Sequence, residues 1–78
     1  MKQFAAGVSA PDDLFVRTYE QDNSIELVAD IGAPEATIDV LHDCVIVNTT
    51  TDQYEFSIPA EEARTFMKNG VLTIQVEK

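Results

Sequence analysis

A chain of 78 residues has room for one domain and one core, and with fourteen acids against five bases its formal net charge is -9. Acids spread from Asp12 to Glu77 exclude a surface built to grip phosphate backbones or anionic headgroups, so no nucleic acid and no membrane is expected as a partner. The single cysteine, Cys44, excludes an internal disulfide, and the 45% of hydrophobic residues, set in short alternating runs, argue against intrinsic disorder.

In chain order, residues 1–13 show weak periodicity. Their apolar stretch from Phe4 to Ala10 is too short for a signal peptide and is interrupted by Gly7 and Ser9, and Pro11-Asp12-Asp13 reads as a turn. This segment is expected to be a short, weakly ordered leader to a domain over 14–78. Leu14 to Tyr19 is dense in aromatic and β-branched residues and predicts a first strand, followed by a polar loop over Glu20 to Ser24. Ile25, Leu27, Ala29 and Ile31 then recur with the two-residue period of a strand that has one face in the core, and Gly32-Ala33-Pro34 stops it.

Ile38 and Val40 share one face of the next strand, and His42-Asp43 connects it tightly to Cys44 to Thr49, which predicts a hairpin. After a polar link over Thr49 to Asp52, Tyr54, Phe56 and Ile58 alternate up to Pro59. The stretch 60–68 carries both helical and hairpin signals. Glu61 and Glu62 behind Pro59 suit a first helical turn, whereas Asn69-Gly70 between apolar pairs is a strong hairpin signal because both residues tolerate positive φ. The expectation is a helical turn over about 60–64, a short strand over about 65–68, and a last strand with Leu72, Ile74 and Val76 inward. Six to seven short strands with almost no helix predict an all-β fold, an antiparallel two-sheet β-sandwich.

The segment Lys68-Asn69-Gly70-Val71-Leu72-Thr73-Ile74 resembles the A-x-x-x-n-G-V-L signature of the α-crystallin domain of small heat-shock proteins, the Hsp20 family. Asp30-Ile31-Gly32 resembles that family's D-L-P-G, Ile38-Asp39-Val40 its I-x-V, and Phe56-Ser57-Ile58-Pro59 its F-x-L-P, all in the right order over Ser24 to Lys78. The resemblance implies an immunoglobulin-like sandwich that holds partly unfolded proteins without ATP. It also implies a peptide-binding groove with Ile38 and Val40 on one side and Thr65, Phe66 and Met67 on the other. The same five residues could instead simply fill the core. The alternative function is an adaptor module similar to the CS domain of co-chaperones, recruiting one folded partner through an edge strand.

Three departures bear on the carry-over. The link between the fourth and fifth strands is too short for the long loop that relatives exchange, so a homodimer, if formed, is not expected to swap strands that way. No tail beyond Lys78 is expected to carry an I-x-I/V docking peptide, since Ile74-Gln75-Val76 lies in the last strand, and no client-binding N-terminal arm is expected. Few lysines and many Asp, Ala, Val and Thr resemble proteins of salt-loving microbes, in which salt screens self-repulsion, so stability is expected to rise with KCl. A cytoplasmic location is expected.

No enzyme is expected. His42 and Cys44 at i and i+2 fall short of the three or four ligands of a zinc site, the three glycines stand alone without a phosphate loop, and Ser9, Ser24 and Ser57 have no base beyond His42. No cofactor and no metal is expected.

Overall fold

The computed structural model describes residues 2–4, 7–33, 35–58 and 63–77. Among these, nine strands run in chain order as β1 (Lys2–Gln3), β2 (Ser9–Ala10), β3 (Phe15–Glu20), β4 (Ser24–Asp30), β5 (Thr37–Val40), β6 (Cys44–Asn48), β7 (Gln53–Ser57), β8 (Ala63–Lys68) and β9 (Val71–Glu77). They form two antiparallel sheets, one ordered β1-β2-β7-β6-β5 and the other β3-β4-β9-β8. The fold is the expected all-β, antiparallel two-sheet sandwich. Its seven longer strands are the six to seven read from the alternation, and β1 and β2 are added to them.

The alternating residues meet between the sheets. Ile25, Leu27 and Ala29 from β4 and Leu72, Ile74 and Val76 from β9 are buried against Val45 and Val47 from β6, with Phe56 of β7 the largest fully buried side chain. Register makes this possible: Leu27 stands across from Ile74 and Ala29 across from Leu72, so the apolar faces of β4 and β9 coincide row by row.

Hairpin turns follow from local chemistry. Asn69 and Gly70 take φ of 53° and 77°, the left-handed pair that matches the twist of β8 and β9. The backbone N–H groups of Ile31 and Gly32 both donate to the Gly70 carbonyl, at 2.9 and 3.0 Å, which ties the chain leaving β4 to this turn. Between β6 and β7 the Thr49 Oγ1 accepts from the Asp52 N–H at 2.9 Å, closing a short polar link.

The helical turn expected over 60–64 is corrected where the structure describes it. Ala63 and Arg64 belong to β8, paired with Val76 and Gln75, because the long β9 offers a complete edge on which they can extend the hairpin. Residues 60–62 lie outside the described residues. In the segment read as a leader, Ser9 pairs with Ser57, and Val8 and Ala10 are fully buried in the core. Two-residue strands are too short to display a period, which is why alternation did not reveal them.

The connections also decide which edges face each other. Only Pro11 to Leu14 lie between β2 and β3, a reach of about 14 Å that spans little more than one inter-sheet gap. The Lys2 Nζ reaches the Leu14 carbonyl at 3.4 Å. The β1-β2 edge therefore stands over β3. With that edge over β3, aligned packing of the two sheets sets their opposite end strands, β5 and β8, on the other side of the sandwich.

Candidate protein-interaction surfaces

The first candidate is the open side between β5 and β8, each the end strand of its sheet. Ile38 and Val40 point to the interior side of β5, where they stand across from Val47 and Val45. Ile38 packs against the core, while Val40 is 45% exposed at the end strand of its sheet. On β8, Thr65 and Met67 are half-buried and face inward beside Ile74 and Leu72. Phe66 does not join them. The two-residue period turns it to the opposite face, 58% exposed, so it fills neither the core nor the inter-sheet opening. Of the Asn69-Gly70-Val71-Leu72 motif, Leu72 is buried, Val71 points outward, and the other two make the turn.

The second candidate, missed from the sequence, is the outer face of the four-stranded sheet. Cross-strand registers arrange it in three rows: Phe15, Asp30, Val71 and Lys68; Arg17, Val28, Thr73 and Phe66; Tyr19, Glu26, Gln75 and Arg64. Phe15, Phe66, Tyr19 and Val71 are among the most exposed large hydrophobic side chains described. Three of the five bases of the chain, Arg17, Arg64 and Lys68, stand here with Glu26, Asp30 and, at the rim, Glu77. The face is neutral in formal charge, so the rest of the molecule carries the whole of the -9.

Side chains on this face already contact one another. The Arg17 guanidinium carbon lies 5.4 Å from the Phe15 ring centroid, within cation-π range. A shallow depression of about 280 Å³ is lined by Phe15, Arg17, Tyr19, Val28, Asp30 and Val71. Another of about 300 Å³ is lined by Ala63, Arg64, Gln75 and Glu77. A signal for the face was present in the shared parity of Phe15, Arg17 and Tyr19 and of Arg64, Phe66 and Lys68, but only pairing through β4 and β9 places the two sets in one plane.

Reactive chemistry is sparse. Among the described residues no group of three His, Cys, Asp or Glu side chains is placed to hold a metal ion. Cys44 is buried, and its thiol is pushed up from its ordinary value by that burial first and then by the carboxylates of Asp43 and Glu55. A thiol so held stays protonated at neutral pH and is a poor nucleophile. Burial likewise raises the Tyr54 hydroxyl, with Asp52 and Asp13 adding to it. Ser9 and Ser24 are buried, and Ser57 stands across from both Ser9 and Cys44 in the β-ladder.

No curated protein matches this chain. Residues 1–76, nearly its whole length, match the Family of unknown function (DUF7127), and the chain belongs to that family.

Proposed function

We propose that this domain is a non-catalytic protein-binding module that holds extended, partly unfolded polypeptides without ATP, at the open side between β5 and β8. The observation that carries the reading is that β5 and β8 both end their sheets, with Val40 45% exposed on the inward side of β5 and Ile38 and Met67 partly buried against the core. An extended segment can add its backbone to such an edge and place alternate side chains against the opening. Glu35 just before β5, Asp39 on it and Asp43 in the turn after it are exposed, which favours apolar segments flanked by bases. The ordered resemblance to the α-crystallin domain supports the same reading, and the acidic composition supports a salt-rich cytoplasm as its setting.

Light scattering of a heat-labile client in concentrated KCl tests the proposal. The intact chain is expected to suppress aggregation, and Val40→Asp is expected to weaken suppression about tenfold with the melting temperature little changed, since position 40 is half in solvent. Failure of the intact chain to suppress aggregation defeats the holdase reading. Capture of a single folded partner, lost on Val40→Asp, would then establish the adaptor reading at the same edge.

A further inference from the structure

We propose that the outer face of the four-stranded sheet is a homodimer interface, on which two copies pack face to face about a two-fold axis parallel to the strands. The proposal rests on the row registers and not on the β5-β8 opening, which stays free in such a dimer.

A two-fold axis lying in the interface and running along the strands places β3 of one copy over β8 of the second, and β4 over β9, with each residue facing the far member of its own row. Phe15 then faces the second copy's Lys68, Arg17 faces its Phe66, and Tyr19 faces its Arg64. Every aromatic ring of one outer strand meets a cation of the other, six such pairings in the dimer by symmetry, each a cation-π contact in kind. Along the middle strands Asp30 faces Val71, Glu26 faces Gln75, and Val28 faces Thr73, so no row opposes like charges.

Aligned sheets pack about 30° apart, which displaces residues on the outer strands by roughly one position, within reach of Arg and Lys side chains. Within a single copy Arg17 and Phe66 are separated by two intervening strands, roughly 14 Å, so these pairings are open only to a second copy.

Charge selects the occupant. The face is neutral while the remaining surface carries -9, so it is the place where two copies meet with the least repulsion. Four strands of up to seven residues present roughly 15–20 Å by 20–23 Å. A pair buries on the order of 1,000 Å², at the low end of specific interfaces, which predicts a weak dimer with Kd in the micromolar range. Screening of the repulsion between two acidic bodies tightens it as salt rises.

Sedimentation velocity of the full chain, from micromolar to millimolar protein in about 0.1 and about 1 M KCl, tests the proposal. The expected result is a monomer-dimer equilibrium that shifts toward dimer in the higher salt. Phe66→Lys, which sets an ammonium opposite Arg17, is expected to raise Kd at least about tenfold, and so is Arg17→Glu. The double variant R17E/F66K is expected to recover most of the loss, because the two introduced charges then face each other across the axis. Circular dichroism and melting of each variant confirm folding, and Ile46→Lys on the other sheet is expected to leave Kd unchanged.

A chain that remains monomeric in the higher salt, or a dimer indifferent to both single changes, overturns the proposal. Single losses with no recovery in the double variant overturn the axis. A monomer whose sedimentation shifts only with an oligothymidylate assigns the rings and bases to single-stranded nucleic acid, and overturns the dimer.

Discussion

The outer faces of the two sheets are made by the same alternation yet differ in kind. On the five-stranded sheet, two of the outward rows are Asp39, Ile46 and Glu55, and Thr37, Asn48 and Gln53, so Ile46 stands between two carboxylates and no aromatic ring is among them. On the four-stranded sheet the outward rows carry three aromatic rings, Val28 and Val71, and three bases. Both faces balance on an interior that is almost wholly aliphatic apart from Phe56. Core burial dictates every second residue of a strand and leaves the residues between free. The composition of an outer face therefore reports its use more directly than the core does.

The largest expected contrast lies between two phenylalanines. Phe56 is fully buried and Phe66 is 58% exposed on opposite sides of the sandwich wall. Phe56→Ala is expected to cost about 3–5 kcal/mol, enough to unfold much of so small a domain. Phe66→Ala is expected to cost less than about 0.5 kcal/mol. Chemical denaturation of both variants measures the difference. Equal losses would erase the distinction between the inward face of β7 and the outward face of β8.

A smaller effect is expected at the turn that holds the four-stranded sheet together. Gly70 has φ of +77°, and a Cβ there would come within 3.3 Å of the Ala33 backbone nitrogen and 3.4 Å of the Gly32 carbonyl carbon. Gly70→Ala is expected to cost about 1–3 kcal/mol, from the left-handed backbone and from pressing on the segment that bonds to this turn. The urea midpoint reads it, and a neutral outcome would mean that the β4-β5 segment yields easily.

Screening comes next. Adding KCl from about 0.1 to about 1 M is expected to raise the melting temperature by a few degrees, since it damps repulsion among acids concentrated away from the neutral face. A flat or falling curve would count against the salt-adapted reading.

The smallest effect is a dependence on alkaline pH. Both Cys44 and Tyr54 have folded-state values raised above their ordinary 9.0 and 10.0, so the folded chain keeps protons that the unfolded chain would release. Their contribution is fully present below the unfolded values and is lost as pH rises through the folded ones. Stability is therefore expected to decline above about pH 9, and Cys44→Ala is expected to flatten the first part of that decline in denaturant titrations at successive pH values.

Much of the sandwich was legible along the chain. Ile25, Leu27 and Ala29, and Leu72, Ile74 and Val76, announce their strands because a side chain that alternates into a core leaves a two-residue period. Asn69-Gly70 announces its turn because few residue pairs accept positive φ twice. Ala10 and the adjoining Val8 did not announce themselves, since the strand there, Ser9–Ala10, is too short to have a period. Phe66 was ambiguous for a different reason: β8 carries apolar residues on both faces, with Met67 turned inward and Phe66 outward.

Sequence by itself determined the fold class, the inward set of the long strands and the bends between them, because these depend on neighbours one to four residues away. Tertiary structure alone decided which strands lie side by side, and hence that Phe15, Arg17 and Tyr19 share a plane with Arg64, Phe66 and Lys68 some fifty residues later. Strand order is set by how connections cross between sheets, through contacts such as those of Ile31 and Gly32 with Gly70, and no local pattern encodes it.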